Sequence, residues 1–241
     1  SGAFPLLTCL PSPMTSRTVG RVSGVSVGMK KVLFSMLCMV FAALPLQAQT
    51  LLVVGDSLSA GYGLRQHEAW PVLLGQKLAQ AGYTHSVVNA STSGDTTANG
   101  LSRIDAALAA HKPAIVILAL GANDGLRGLP VKSMRDNIES MTRKAQAAGA
   151  RVLIAGMQLP PNYGPDYTQK FAAAFSEVAT STRSALLPFL LDGFATDPRS
   201  FLPDGIHPIA GAQSRIVDNI WTPLKPLLGK VADSASAARQ R

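Results

Sequence analysis

The sequence predicts an α/β protein, a three-layer αβα sandwich around a mainly parallel five-stranded sheet. The first observation behind this is rhythm. Short, continuous apolar runs alternate with longer segments whose apolar residues recur at helical spacing. The second is composition, with 47% hydrophobic residues but only 6% aromatic ones, which suits helices packed on a buried sheet. The third is length, since 241 residues make one sizeable domain and too few for two comfortable ones.

Leu51-Leu52-Val53-Val54, ending at Gly55, reads as a strand buried on both faces. Trp70, Leu73, Leu74, Leu78 and Ala81 give 68–81 a helical period, and Gly82 supplies a stop. His85 to Asn89 reads as a second strand, and 98–110 as a helix stopped by Lys112-Pro113. Ala114 to Leu120 is the strongest strand signal in the chain. Ser133 with Asp136 three residues on has the form of a capping box. Behind it Met134, Ile138, Met141, Ala145 and Ala148 share one face of a helix closed by Gly149. Arg151 to Gly156 is a fourth strand, and 157–166 a loop rich in Pro, Asn and Gly. Tyr167, Phe171, Phe175 and Val178 mark a further helix, Leu186-Leu187 begins a fifth strand, and 192–209 is a polar loop. Ala212, Ile216, Ile220 and Leu224 mark the last helix.

In parallel sheets of this kind, sites form beyond the carboxyl ends of the strands. That rule selects 55–58, 90–96, 121–125 and 157–166. Gly55-Asp56-Ser57 stands in the first, where a turn can present the serine hydroxyl outward; Gly55 is expected to permit the tight turn. Asn123 stands in the third, with an amide able to face the same crevice. Gly94, in the second, can donate a backbone N–H. Each is weak alone, because Gly-Asp-Ser and Asn are also ordinary turn residues. Of the four histidines, His67, His85 and His111 fall at element boundaries, and only His207 has a carboxylate three residues before it, Asp204. An Asp in that position can hold the imidazole tautomer that leaves the other ring nitrogen free to take a serine proton.

Taken in order, Gly55-Asp56-Ser57-Leu58, Gly94, Gly121-x-Asn123-Asp124 and Asp204-x-x-His207 resemble the four blocks of the SGNH/GDSL hydrolases, whose fold is flavodoxin-like. Further segments (GDSLSAGYGL, SVVNASTSGDTT, GANDGLRG, LPPNYG and DGIHP) are similar to a bacterial thioesterase, protease, lysophospholipase and arylesterase group within that family. The resemblance implies Ser57 as nucleophile, His207 as base and then acid, and Asp204 as its orienting partner. It implies an oxyanion hole from Ser57, Gly94 and Asn123. It assigns a substrate groove to the segment Asp124, Gly125, Leu126 to Leu129, helped by Leu159 and Pro160. It implies no metal and no organic cofactor. Ala122 departs from the group, which usually has Gly there. Two other classes compete: a metal-dependent phosphoesterase using Asp56, Asp95, Asn123, Asp124 and His207, and an exported binding module without catalysis. Among esterases, a carbohydrate acetylesterase is the alternative to an enzyme with an acyl groove.

Met29-Lys30-Lys31 followed by the apolar run Val32–Leu44, Pro45 and Ala48 has the layout of a secretory signal. Residues 1–48 are therefore expected to be an extension and a signal peptide (29–48), removed near Ala48, with the enzyme periplasmic or secreted. The run is short of the roughly 20 residues a membrane span needs. Residues 49–230 would form the hydrolase domain and 231–241 a flexible tail. Both cysteines, Cys9 and Cys38, fall in the removable stretch, so the mature chain would rely on packing alone. The net charge of +8 shares this origin in part: Arg17, Arg21, Lys30 and Lys31 precede residue 49 with no acidic residue, leaving 18 basic and 14 acidic residues, a net +4. No run of five basic residues follows, so nucleic acid is not an expected partner. The expected partner is a small acyl ester or thioester, including lysophospholipid, bound by a monomer.

Overall fold

The computed structural model describes residues 49–229. The expected extension, signal peptide and tail lie outside them. Five strands form one sheet: β1 (Thr50–Gly55), β2 (Ser86–Asn89), β3 (Ile115–Ala119), β4 (Arg151–Ala155) and β5 (Ala185–Leu187). Their order is β2-β1-β3-β4-β5, and every pairing is parallel. The sheet centre is dry. Leu51 to Val54 of β1 and the whole of β3 are buried, because a parallel sheet covered on both faces needs apolar side chains at successive positions rather than alternate ones.

Seven helices accompany the sheet among the described residues: α1 (Ser57–Ala60), α2 (Trp70–Gln80), α3 (Thr97–His111), α4 (Ala122–Leu126), α5 (Val131–Ala147), α6 (Pro165–Thr182) and α7 (Gln213–Leu224). Contacts divide the long ones into two layers. Helix α2 packs with α7, while α5 packs with both α3 and α6. The result is the expected three-layer sandwich. Trp70, Leu74 and Leu78 of α2 and Ile216, Ile220 and Leu224 of α7 are buried at i, i+4 spacing. On the other face Phe171 and Phe175 of α6 meet edge-on, 5.4 Å between ring centroids.

Three expectations need correction. Ser133 caps nothing: α5 starts two residues earlier at Val131, with Pro130 at the N-cap position, so Ser133 lies inside the first turn. Its Met134, Ile138, Met141 and Ala145 are buried as expected, but Ala148 follows the helix end and is exposed. Gly55 is not in a left-handed conformation; a Cβ there would lie 2.5 Å from Ser59 Oγ and 3.0 Å from Ser91 Oγ, so closeness of α1 and the β2 loop is what requires glycine. The short helices α1 and α4 were also not expected. Neither carries enough residues to show a period, and both sit in the segments that the sheet-end rule selects.

Candidate active site

Ser57 is the first residue of α1, immediately after β1. Asp56 caps this helix: its Oδ1 accepts the Leu58 N–H at 3.0 Å. Asn89 at the end of β2 donates its amide to the Ser59 carbonyl at 2.8 Å. Arg103 of α3 binds the neighbouring turns together. It donates to Asp95 Oδ2 at 2.7 Å, to the Gly55 carbonyl at 3.3 Å and to the Ala90 carbonyl. A buried or half-buried guanidinium with three acceptors fixes these turns at small entropic cost.

Asn123 lies in α4, one residue after Ala122. Its Nδ2 donates to the Asp95 carbonyl at 3.0 Å and lies 3.4 Å from Asp56 Oδ2. Two acceptors around that atom identify it as the nitrogen, not the oxygen, of the amide, and one of them belongs to the residue before Ser57. Gly94 has φ +83°, and its carbonyl accepts from Arg127 at 3.0 Å, which turns the peptide over. Among the described residues the backbone N–H groups of Ser57 and Gly94 have no hydrogen-bond partner.

His207 arrives from the loop after β5. That loop is braced by an isolated antiparallel bridge between Phe201 and Pro208, with Leu202 N–H donating to the His207 carbonyl at 2.7 Å. Gln213 ties Pro208 to α2, accepting from Trp70 N–H at 3.1 Å and donating to the Pro208 carbonyl at 3.1 Å. His207 Nε2 lies 2.8 Å from Ser57 Oγ, and Nδ1 lies 2.8 Å from Asp204 Oδ2. Asp204 Oδ1 accepts the N–H groups of Ile206 at 2.8 Å and His207 at 3.0 Å. The backbone N–H of His207, then that of Ile206, then the His207 ring hold the Asp204 carboxyl down at about 2. Asp56 behaves oppositely. Burial is the main cause, with Asp124 and Asp95 adding repulsion, and the carboxyl is pushed up to about 7.

A cavity of about 400 Å3 is lined by Leu58, the residue after Ser57, and by Gly205 and Ile206, just before His207. Leu126, Leu159 and Pro160 line it, as the resemblance implied. Asp124, Gly125 and Leu129 do not. Asp124 is buried and accepts the Thr97 N–H at 2.8 Å and hydroxyl at 2.6 Å. Gly125 lies beneath Leu159 and Phe171, where a Cβ would come within 2.6 Å of the Phe171 ring. Leu129 stays on the outer surface, its carbonyl taken by the Tyr167 hydroxyl. Met157, within the selected segment 157–166, also lines the cavity, and sequence reasoning missed Phe189, Leu191, Phe201 and Ile206. Their signal was position, since all follow β4 or β5 at the carboxyl edge. The carboxylates of the metal-site alternative are engaged elsewhere, Asp95 with Arg103 and Asp124 with Thr97.

Fold and cleft together define an α/β enzyme with its cavity at the carboxyl edge of a parallel sheet. Comparison with known proteins gives the family. Residues 53–213 match the model of the GDSL-like lipase/acylhydrolase family. The chain is 51% identical over 181 residues to Esterase TesA of Pseudomonas aeruginosa, covering 75% of this chain and 90% of the relative. The crystal structure of TesA superposes with a TM-score of 0.73, covering 75% of this chain and all of that one. Thioesterase 1/protease 1/lysophospholipase L1 of Escherichia coli is 41% identical, covering 75% of this chain and 86% of the relative. A crystal structure of the esterase EstA from Pseudoalteromonas sp., inhibited by monoethylphosphonate, is 38% identical, with a TM-score of 0.72 over 76% of this chain and all of that one. The chain belongs to the GDSL-like lipase/acylhydrolase family, and it is a carboxylic ester hydrolase.

Proposed function

We propose that the chain hydrolyses esters by two-step acyl transfer, with Ser57 as nucleophile, His207 as general base and then acid, and Asp204 holding the imidazole. The observation that carries this is the chain of two 2.8 Å contacts, Ser57 Oγ to His207 Nε2 and His207 Nδ1 to Asp204 Oδ2. Ser57 attacks the carbonyl carbon as its proton passes to Nε2. The alcohol leaves with that proton, and water activated by His207 releases the acid. The charge that develops on the carbonyl oxygen is met by the N–H groups of Ser57 and Gly94 and by Asn123 Nδ2. Fixed donors need no reorganisation at the moment of reaction.

The acyl arm lies in the 400 Å3 cavity, whose lining is mainly apolar, with Leu126, Leu159, Phe189 and Ile206 among it and Gln158 and Thr196 as its polar side chains. A mainly apolar cavity of this size suits a fatty tail better than a sugar. Oxygen esters, thioesters and lysophospholipids share that tail, so the cavity reads the acid and leaves the leaving group to the other side of Ser57. Residues 29–48 act as an export signal cleaved near Ala48, and the hydrolase domain works outside the cytoplasm.

The test compares wild type with Ser57→Ala on p-nitrophenyl esters of increasing chain length. The variant is expected to lose on the order of 10^4 to 10^6 in kcat, and wild type to prefer chains longer than acetyl. Equal activity in the two proteins refutes the serine mechanism. A sharp acetyl preference refutes the acyl cavity.

A further inference from the structure

Ser57 separates two unlike surfaces. On one side lies the cavity, with Leu58 and Ile206 in its lining. On the other, Ser57 and His207 adjoin a narrow crevice bordered by Tyr62, Leu64, Pro208 and Gln213. Tyr62 does not line the cavity. Its ring lies against the His207 ring, centroids 4.3 Å apart and tilted by 35°. Yet Tyr62 is 52% exposed, more than Val72, Leu129 or Ile206. A single exposed aromatic is ordinary, but one whose covered part rests on the imidazole has its free surface within reach of whatever the imidazole protonates.

The tetrahedral intermediate has four substituents, and three already have places: Ser57 Oγ, the oxyanion toward Asn123 and Gly94, and the acyl arm in the cavity. The fourth, the leaving group, receives its proton from His207 Nε2 and so lies on the Tyr62 side. We propose that Tyr62 is a specificity-determining residue for the leaving group, its exposed ring forming a platform for an aromatic alcohol. As the carbon–oxygen bond breaks, the electron pair goes to the phenolic oxygen, which takes the proton from His207. The acyl group stays on Ser57, and the phenol departs from the Tyr62 ring. This rests on the serine mechanism proposed above.

The experiment uses the full chain, with Tyr62→Leu and Tyr62→Phe, on phenyl and trifluoroethyl esters of one fatty acid. Both alcohols are good leaving groups, and kcat/KM reports acylation, the step in which the leaving group is still present. Tyr62→Leu is expected to lower the phenyl-to-trifluoroethyl ratio of kcat/KM by about threefold to tenfold, the range of an aromatic pair. Tyr62→Phe is expected to restore the ratio to within about twofold of wild type. An unchanged ratio overturns the proposal. So does an equal fall for both esters, which would mean that the ring only holds His207. Ser57→Ala is assayed alongside: full activity there removes the serine mechanism and the platform together, whereas an inactive Ser57→Ala with an unchanged Tyr62→Leu ratio removes the platform alone.

Discussion

Asp56 precedes Ser57 in the chain, while Asp204 reaches it through His207, and the surroundings of the two carboxyls drive them in opposite directions. Asp56 is 1% exposed and sits at about 7, held up by burial. Asp204 is exposed on its loop and sits at about 2, held down by two backbone N–H groups and the imidazole. The sheet side of the site is thus a packed, partly neutral floor, and the loop side an ionised rim. A carboxylate that stays charged throughout the neutral range suits the stabilisation of an imidazolium. A buried one near 7 suits a structural tie, because its Oδ1 accepts from Leu58 in either protonation state.

The comparison breaks most visibly at the rim. Asp204→Ala is expected to lower kcat by about 10^3 to 10^4, by freeing the imidazole to take the wrong tautomer. Its far-UV spectrum is expected to stay near wild type, because the residue is exposed on a loop outside the strands and helices. If Asp204→Ala keeps a tenth of wild-type kcat while Asp56→Ala abolishes it, the two carboxyls have been assigned the wrong way round.

Asn123 belongs to the floor, since its amide is held by Asp95 and by Asp56, the residue before Ser57. Asn123→Ala is expected to cost about 10^2 to 10^3 in kcat, the value of one fixed oxyanion donor. KM should change little, because the charge it meets exists only in the transition state. A raised KM with unchanged kcat would make Asn123 a ground-state contact instead.

The same division governs what could be read from the sequence. Ser57, Asn123 and the Asp204/His207 pair stand at strand ends or at a fixed local spacing; two 2.8 Å contacts link Ser57, His207 and Asp204, and Asn123 is tied to Asp56, the residue before Ser57. The continuous apolar runs located β1, β3 and β4 to within two residues, since a strand buried on both faces leaves no polar alternation to misread, and the half-buried β2 and β5 were placed within one residue of their starts from short apolar pairs. The cavity was harder. Phe189, Leu191, Phe201 and Ile206 come from a loop without a period, and they converge only because the Phe201–Pro208 bridge folds that loop back. Asp124 and Gly125 failed as groove residues for a related reason: the short helix α4 turns them inward, one onto Thr97 and the other beneath Leu159. Tyr62 stands in the GDSLSAGYGL segment, but its contact with His207 was not legible, because the two are distant in sequence.

The finest test of the comparison is the pH dependence of stability. A carboxyl raised from its ordinary 3.8 to about 7 by folding makes the folded state bind more protons than the unfolded state between those values. Stability from Asp56 is therefore complete below about pH 4 and falls as pH rises toward 7. The full swing is on the order of 4 kcal/mol. Asp204, lowered to about 2, acts with the opposite sign: its contribution is present above about pH 4 and is lost as pH falls toward 2. The two windows barely overlap. Asp95, Asp124 and Arg103 face the Asp56 region and remain in the variant Asp56→Asn, so subtracting its unfolding free energy from that of wild type isolates the Asp56 slope. Denaturant titrations from pH 4 to 8 are expected to show wild type losing ground to Asp56→Asn steadily up to about pH 7 and then running parallel to it. A flat difference across that range would mean that Asp56 ionises freely, and that the floor of the site is as wet as its rim.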